Sequence, residues 1–200
     1  MDHRRDDVVD LERHLPDLAI AAALAWGSGL RAYAVIFAIG LAGAAGWWEL
    51  PEHLHLLQHP LVLGASGLMT AVEFFADKLP WLDSVWDAVH SFIRIPAGAA
   101  LAAAVFGDSG AAVALAAAIL GGSLAAGVHL AKAGSRAAIN TSPEPFTNWS
   151  ASLAEDAIVP VGLWLAVVNP ILFFVLLALF LLGAVLLLRV IWRGLRRLFA

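Results

Sequence analysis

Cysteine is absent from this chain, and charge is scarce. Without thiols there is no disulfide and no thiolate metal site, although the compartment stays open. Charged residues make up 14% of the chain, where soluble domains carry about 25%. The formal charge of −4 supplies no basic face, which excludes nucleic acid as a partner. No P-loop, dinucleotide, serine-hydrolase or zinc-protease signature is present. The first seventeen residues mix both signs of charge and lack a small-residue cleavage site, so no removable leader is expected.

What is present is apolar surface. At 61% apolar, the chain carries more than a soluble fold of 200 residues can hide, so the surplus must face lipid. A spanning helix needs about 20 mostly apolar residues. Leu18–Ala45, Ala111–Leu130 and Pro170–Leu188 qualify, as does Leu61–Leu79, which gains Glu73, Asp77 and Lys78 in its second half. Ile95–Phe106 and Ala157–Val168 are short; each starts near a proline, Pro96 or Pro160. The expected fold is therefore all-α: a polytopic transmembrane helix bundle of about six segments, two of them short or re-entrant. A likeness between Gly67–Pro96 and Gly122–Pro160 suggests an internal repeat of helical hairpins. Residues 1–17 read as a cytoplasmic tail, 18–193 as the transmembrane domain, and 194–200 as a basic cytoplasmic tail.

Basic residues fall on alternate sides of this map. Arg4, Arg5 and Arg13 precede the first segment, Lys78 and Arg94 flank the second turn, and Lys132 and Arg136 the fourth. Arg189, Arg193, Arg196 and Arg197 follow the last segment, whereas the Trp47–Pro60 and Gly107–Gly110 turns have none. The positive-inside rule then places both termini in the cytoplasm, with an even number of crossings. Between Ala111 and Gly127, twelve of seventeen residues are Ala, Gly or Ser, which suits a central helix. In the last segment only Ala178, Gly183 and Ala184 are small, which suits a peripheral one.

Ionisable groups at membrane depth cost roughly 2.5–3.5 kcal/mol each on insertion scales and mark candidate sites. Arg31 and Glu73 fall at similar depth on adjacent helices, and an Arg31–Glu73 pair is expected. Gly27, Ser28 and Gly29 weaken the first helix beside Arg31, as in the interrupted helices that frame transporter sites. Asp77 and Lys78 continue the charged face of Glu73. His129, Lys132 and Arg136 share a face of the fourth helix, as its cationic counterpart or a lipid-headgroup site. Asp83, Asp87 and His90 align at i, i+4 and i+7 on a helix lying along the interface. Such a stripe holds a divalent metal, is a solvated face, or pairs with Lys78 and Arg94. His53, His55 and His59 form a second, looser chelation candidate. Glu155 and Asp156 read as helix caps, and the Asn148-Trp149-Ser150 triplet falls on the wrong side for glycosylation.

These elements resemble the membrane family catalogued as domain of unknown function 4126. The resemblance rests on Gly29-Leu-Arg-Ala-Tyr33, Glu73-Phe-Phe-Ala-Asp-Lys78-Leu-Pro80, Asp83-x-x-x-Asp87 and Arg94-x-Pro96-Ala-Gly98. It continues through His129-x-x-Lys132-x-x-x-Arg136-x-x-x-Asn140 and Ala154-Glu-Asp156. Arg31 stands where that family's motif often has Asn. The resemblance implies a bacterial or plastid membrane protein, with the bacterial inner (plasma) membrane as the expected location, and no particular activity. From the residues, a small transporter or channel-like permease is the leading expectation. Arg31, Glu73, Asp77, Lys78, His129 and Lys132, with Gly27 and Gly29, would bind its solute or ion. The alternatives are a metal-dependent membrane enzyme acting on a lipid or phosphorylated substrate, and a scaffold or assembly factor. Membrane lipids and a small solute or ion are the expected partners; a cofactor and a homo-oligomer stay open.

Overall fold

The computed structural model describes residues 3–139 and 145–198. Asn140 and the side chains of Arg4, Arg5, Arg13 and Arg197 lie outside the described residues. The fold is all-helical: α1 (His3–Ala44), a 3₁₀ turn (Glu52–Gln58), α2 (Pro60–Ala76), α3 (Pro80–Val105), α4 (Ala111–Ile139), α5 (Pro145–Val168) and α6 (Pro170–Leu198). Five of the helices are long and apolar enough to cross a membrane; the 3₁₀ turn and α2, bent by 67°, make up a sixth candidate. The chain is a multi-pass helical membrane protein.

Proline sets several of the boundaries. Pro60, Pro80, Pro145 and Pro170 each open a helix, where the missing N–H would have no intrahelical partner. His59 Nδ1 accepts from the Leu61 N–H at 3.2 Å, and Asn169 Oδ1 accepts from Leu172 N–H at 3.0 Å, capping α2 and α6. Pro96 and Pro160, expected as helix starts, instead lie inside α3 and α5. Membrane helices tolerate internal proline because neighbouring groups re-satisfy the freed backbone. The charged residues ahead of each proline are drawn into the protein rather than left at a surface. The interfacial helix expected at Trp81–Ile93 is therefore the first half of α3.

The first helix departs most from expectation. It breaks at Arg31 (φ −149°, ψ 80°), two residues after the Gly27-Ser28-Gly29 run. A Cβ on Gly27 would lie 2.7 Å from the Val35 side chain, eight residues on. A straight helix separates such residues by about 12 Å, so the chain folds back on itself here. Its neighbours agree. Leu18 shares a cavity wall with Phe106, Val113 and Phe174, and Gly29 packs on Ala125 and Val128. After the break, Phe37 meets Gly67, and Gly40 meets Leu57 and Leu63. Ala42 shares a cavity wall with Trp47 and Val167. Both limbs thus begin and end at the end of the bundle that holds the 3₁₀ turn, with Arg31 at the tip between them.

Helices α2 to α6 then alternate in direction, with α2–α3 and α4–α5 forming hairpins of the same sense. The described ends of the bundle consequently lie opposite one another. The α1 window is 67% buried, against 22% for α4 and 11% for α6, so α1 is the central element and α6 the peripheral one. Small residues still matter on one face of α4: a Cβ on Gly121 would come within 2.5 Å of Ala102, and one on Gly98 within 2.5 Å of Ala125. That close approach seats α1, α3 and α4 together.

Because the chain has no native cysteine, single cysteines report its orientation directly. With a membrane-impermeant maleimide, His14→Cys and Trp47→Cys should react from one face of the membrane and Arg193→Cys from the other. Reaction of His14→Cys and Arg193→Cys from the same face would contradict the folded-back α1.

Candidate functional site

Ten charged side chains from α1 to α5 and the α2–α3 turn meet inside the bundle. Arg31, Arg94, Lys132, Arg136, Glu73, Asp77, Asp83 and Asp87 are all at most 3% exposed, and Glu155 and Asp156 close the edge. Burial on this scale is tolerable only where each charge has partners, since an isolated ion in a low-dielectric interior would neutralise instead.

The network begins at Arg94 on α3. Its guanidinium forks between Glu73 on α2 and Asp87 on its own helix, each at 2.5 Å. The same Nη1 lies 3.2 Å from His129 Nδ1 on α4. Because Arg94 can only donate, His129 accepts at Nδ1 and carries its proton at Nε2, which donates to Ser91 Oγ at 2.6 Å. Ser91 Oγ in turn donates to the Asp87 carbonyl at 3.1 Å.

Lys132 is the hub. Its ammonium lies 3.1 Å from Glu155, 3.3 Å from Asp77 and 3.5 Å from Asp87, on three different elements. It also donates to the Leu30 carbonyl at 3.1 Å. That carbonyl is at the broken end of the first α1 limb, where backbone acceptors are freed and the helix dipole is negative. Arg31, one residue on, reaches Asp77 at 2.9 Å, Asp156 at 3.0 Å and Ser152 Oγ at 3.1 Å. Arg136 bonds Glu155 at 3.2 Å and Asn148 Oδ1 at 2.6 Å, and Asn148 Nδ2 donates to the Asp77 carbonyl beyond the end of α2. Lys78 sits at the edge, bonded to the Phe74 carbonyl; its partial burial holds the amine below the ordinary lysine range.

Several expectations need correction. Arg31 pairs with Asp77 and Asp156, while Glu73 pairs with Arg94; the expected Arg31–Glu73 pair is absent. Glu73 lies one helical turn short of the α1 tip, and Arg94 competes for it. Glu155 and Asp156 are network ligands rather than caps. Asp83 and Asp87 are buried rather than on a solvated stripe. His90 does not join them: its ring stacks on Trp86, and its Nδ1 lies 2.7 Å from the Trp86 carbonyl. Asp77 takes its place, giving an Asp77, Asp83, Asp87 group whose oxygens lie within 4.8 Å of one another. The three loop histidines face separate partners, His53 toward Asp108, His55 toward the Leu50 carbonyl and His59 toward α2.

Arg94, expected with Lys78 as a partner of the Asp83–Asp87 stripe, does pair with Asp87 and also takes Glu73; with Pro96 inside α3 it falls on the same stripe. Sequence reasoning missed Ser152 and Asn148 as network members. Nothing local marks Asn148 or Ser152; only the packing of α5 against α1 and the α2–α3 turn brings them in.

The family described as domain of unknown function 4126 matches residues 18–190, an interval that contains the entire ionic network. No curated protein matches the chain, and no solved structure does.

Removing one partner from a buried pair leaves an uncompensated charge and costs about 3–5 kcal/mol. We expect Arg94→Met to lower the melting temperature in detergent sharply, because Glu73 and Asp87 lose their shared cation. Adding Glu73→Gln should recover part of the loss. A single variant as stable as wild type would show that Arg94 is not what balances the two carboxylates.

Proposed function

The chain belongs to the family of domain of unknown function 4126, and from its buried charges we propose that it is a small cation- or proton-coupled permease. The observation that carries this reading is Lys132, one ammonium within 3.5 Å of three carboxylates, with a broken helix end as its fourth partner. Such a cation can change partners with little movement of its stem. Among the described residues, six carboxylates against four strongly basic groups leave a formal surplus of two negative charges; Lys78 at the edge reduces it to one. A surplus of that sign in a low-dielectric bundle favours uptake of a proton or a cation.

The folded-back α1 supports the same reading. Interrupted helices in transporters put freed backbone groups and helix ends beside a buried site, and here Leu30 and Arg31 occupy that position. By the positive-inside rule, the end bearing Lys78, Arg136 and the C-terminal arginines faces the cytoplasm of a bacterial plasma membrane. The N-terminal limb of α1 then enters from the opposite side. A metal-dependent membrane enzyme is the second reading, favoured by the convergence of Asp77, Asp83 and Asp87. It requires a divalent ion to displace Lys132 and Arg31 from Asp77, which the permease does not.

Flux in proteoliposomes tests the proposal. Asp77→Asn should reduce proton or monovalent-cation flux by about tenfold or more, the equivalent of roughly 1.4 kcal/mol, in protein that still elutes as a single species. Wild-type flux in that variant would remove the network from any transport role. Stoichiometric divalent metal in purified wild type, lost in Asp83→Asn, would favour the enzyme.

A further inference from the structure

One cleft reaches this network from the side of the bundle. It measures about 360 Å³ and lies among α4, α5, α6 and the α1 tip, with Lys132, Ser135 and Glu155 at its floor. Its walls are Leu30, Ile158, Phe180 and Leu187. Ile158 and Leu187 are exposed at the mouth, level with the apolar run of α6, so the opening faces hydrocarbon rather than water.

Gly183 of α6 faces this space and is exposed. Glycine inside a helix costs roughly 1 kcal/mol relative to alanine and in membranes usually serves close backbone contact. Here it serves none: a Cβ at Gly183 would meet nothing within 4 Å. Gly183 and its neighbour Ala184 are the only adjacent small residues of an otherwise bulky helix, and their effect is to hold the cleft open.

The floor of the cleft is polar in one sense. Among the described residues Glu155 is the only acid lining it, and its side chain is 14% exposed, while that of Lys132 is fully buried behind. Glu155 Oε2 is buried behind that exposed edge, 3.1 Å from the Lys132 ammonium and 3.8 Å from the Arg31 guanidinium, yet it has no aligned hydrogen bond, so a cation that displaced Lys132 would find an acceptor there. Apolar walls around one partly exposed glutamate side chain, in a network with surplus negative charge, complement a molecule that is greasy and positively charged.

We propose that the α4–α5–α6 cleft is a lateral entry site for a lipophilic organic cation, an amine or onium with apolar substituents, drawn from the bilayer onto Glu155. The inference rests on the permease reading and names its substrate class. A cation arriving there competes with Lys132 and Arg136 for Glu155 and so loosens the hub that joins α2, α3 and α5.

Tetraphenylphosphonium is a suitable probe, and tetraphenylborate supplies the anion of the same shape. Equilibrium dialysis against the full-length protein in nanodiscs should give saturable tetraphenylphosphonium binding and none of tetraphenylborate. Both Glu155→Gln and Gly183→Leu should weaken binding about tenfold or more. The first removes the charge and unsettles Arg136 and Lys132; the second only fills the cleft, so it should keep the wild-type melting temperature. No saturable binding by wild type, equal binding of the anion, or undiminished binding by Gly183→Leu overturns the proposal. The Asp77→Asn flux assay is read separately. Cation flux without probe binding defeats the cleft alone, and probe binding without flux defeats the permease alone.

Discussion

A guanidinium deep inside a helical membrane protein has to be met by carboxylates, and for Arg31 those carboxylates arrive from two directions. Asp77 follows the last turn of α2, and Asp156 comes from the middle of α5. They converge on the point where α1 has lost its helical continuity. The break exposes backbone acceptors that water cannot satisfy at this depth, and Lys132 takes one of them. The same ammonium returns to Asp77. Fold and charge network therefore depend on each other: without the tip, Asp77 and Lys132 lose a partner, and without them the tip has no means of paying its desolvation.

This dependence explains the distribution of packing. The limbs of α1 are seated by Gly29, Gly98 and Gly121 on one side and by Gly40 and Gly43 on the other, all at contacts too close for a Cβ. Bulky side chains are left to α6, whose exposed leucines and valines suit acyl chains. Hydrophobic burial contributes little to helix association in lipid, so close backbone approach and the buried ion pairs must hold the bundle together. The cleft beside α6 is the place where that economy is relaxed, and it is where Glu155 becomes accessible.

Much of this was legible in the sequence. Composition alone required a membrane helix bundle, and the charged motifs on α2, α3 and α4 were all recognised as candidates. The Gly27–Gly29 run announced a break in the first helix. Leu18–Ala45 would span roughly 42 Å as one straight helix, well beyond a hydrocarbon core of about 30 Å. That excess length was the available sign of a chain that turns back. Partner assignment failed for a different reason. Depth counting cannot distinguish Glu73 from Asp77 one turn away. Reading Pro96 as a helix start also kept Arg94 out of the interior. Contributions such as Asn148 depend on where α5 docks, which no local pattern encodes.

The reversal of α1 around Arg31 can be measured as a distance. Spin labels at Leu18→Cys and Leu41→Cys, both at exposed positions on opposite limbs, are read by pulsed dipolar spectroscopy in nanodiscs. A folded-back α1 brings them well inside the roughly 35 Å that 23 helical steps would impose, to about 25 Å or less. A single distribution centred near 35 Å would mean a straight helix. In that case Arg31 could not sit between Asp77 and Asp156 as described.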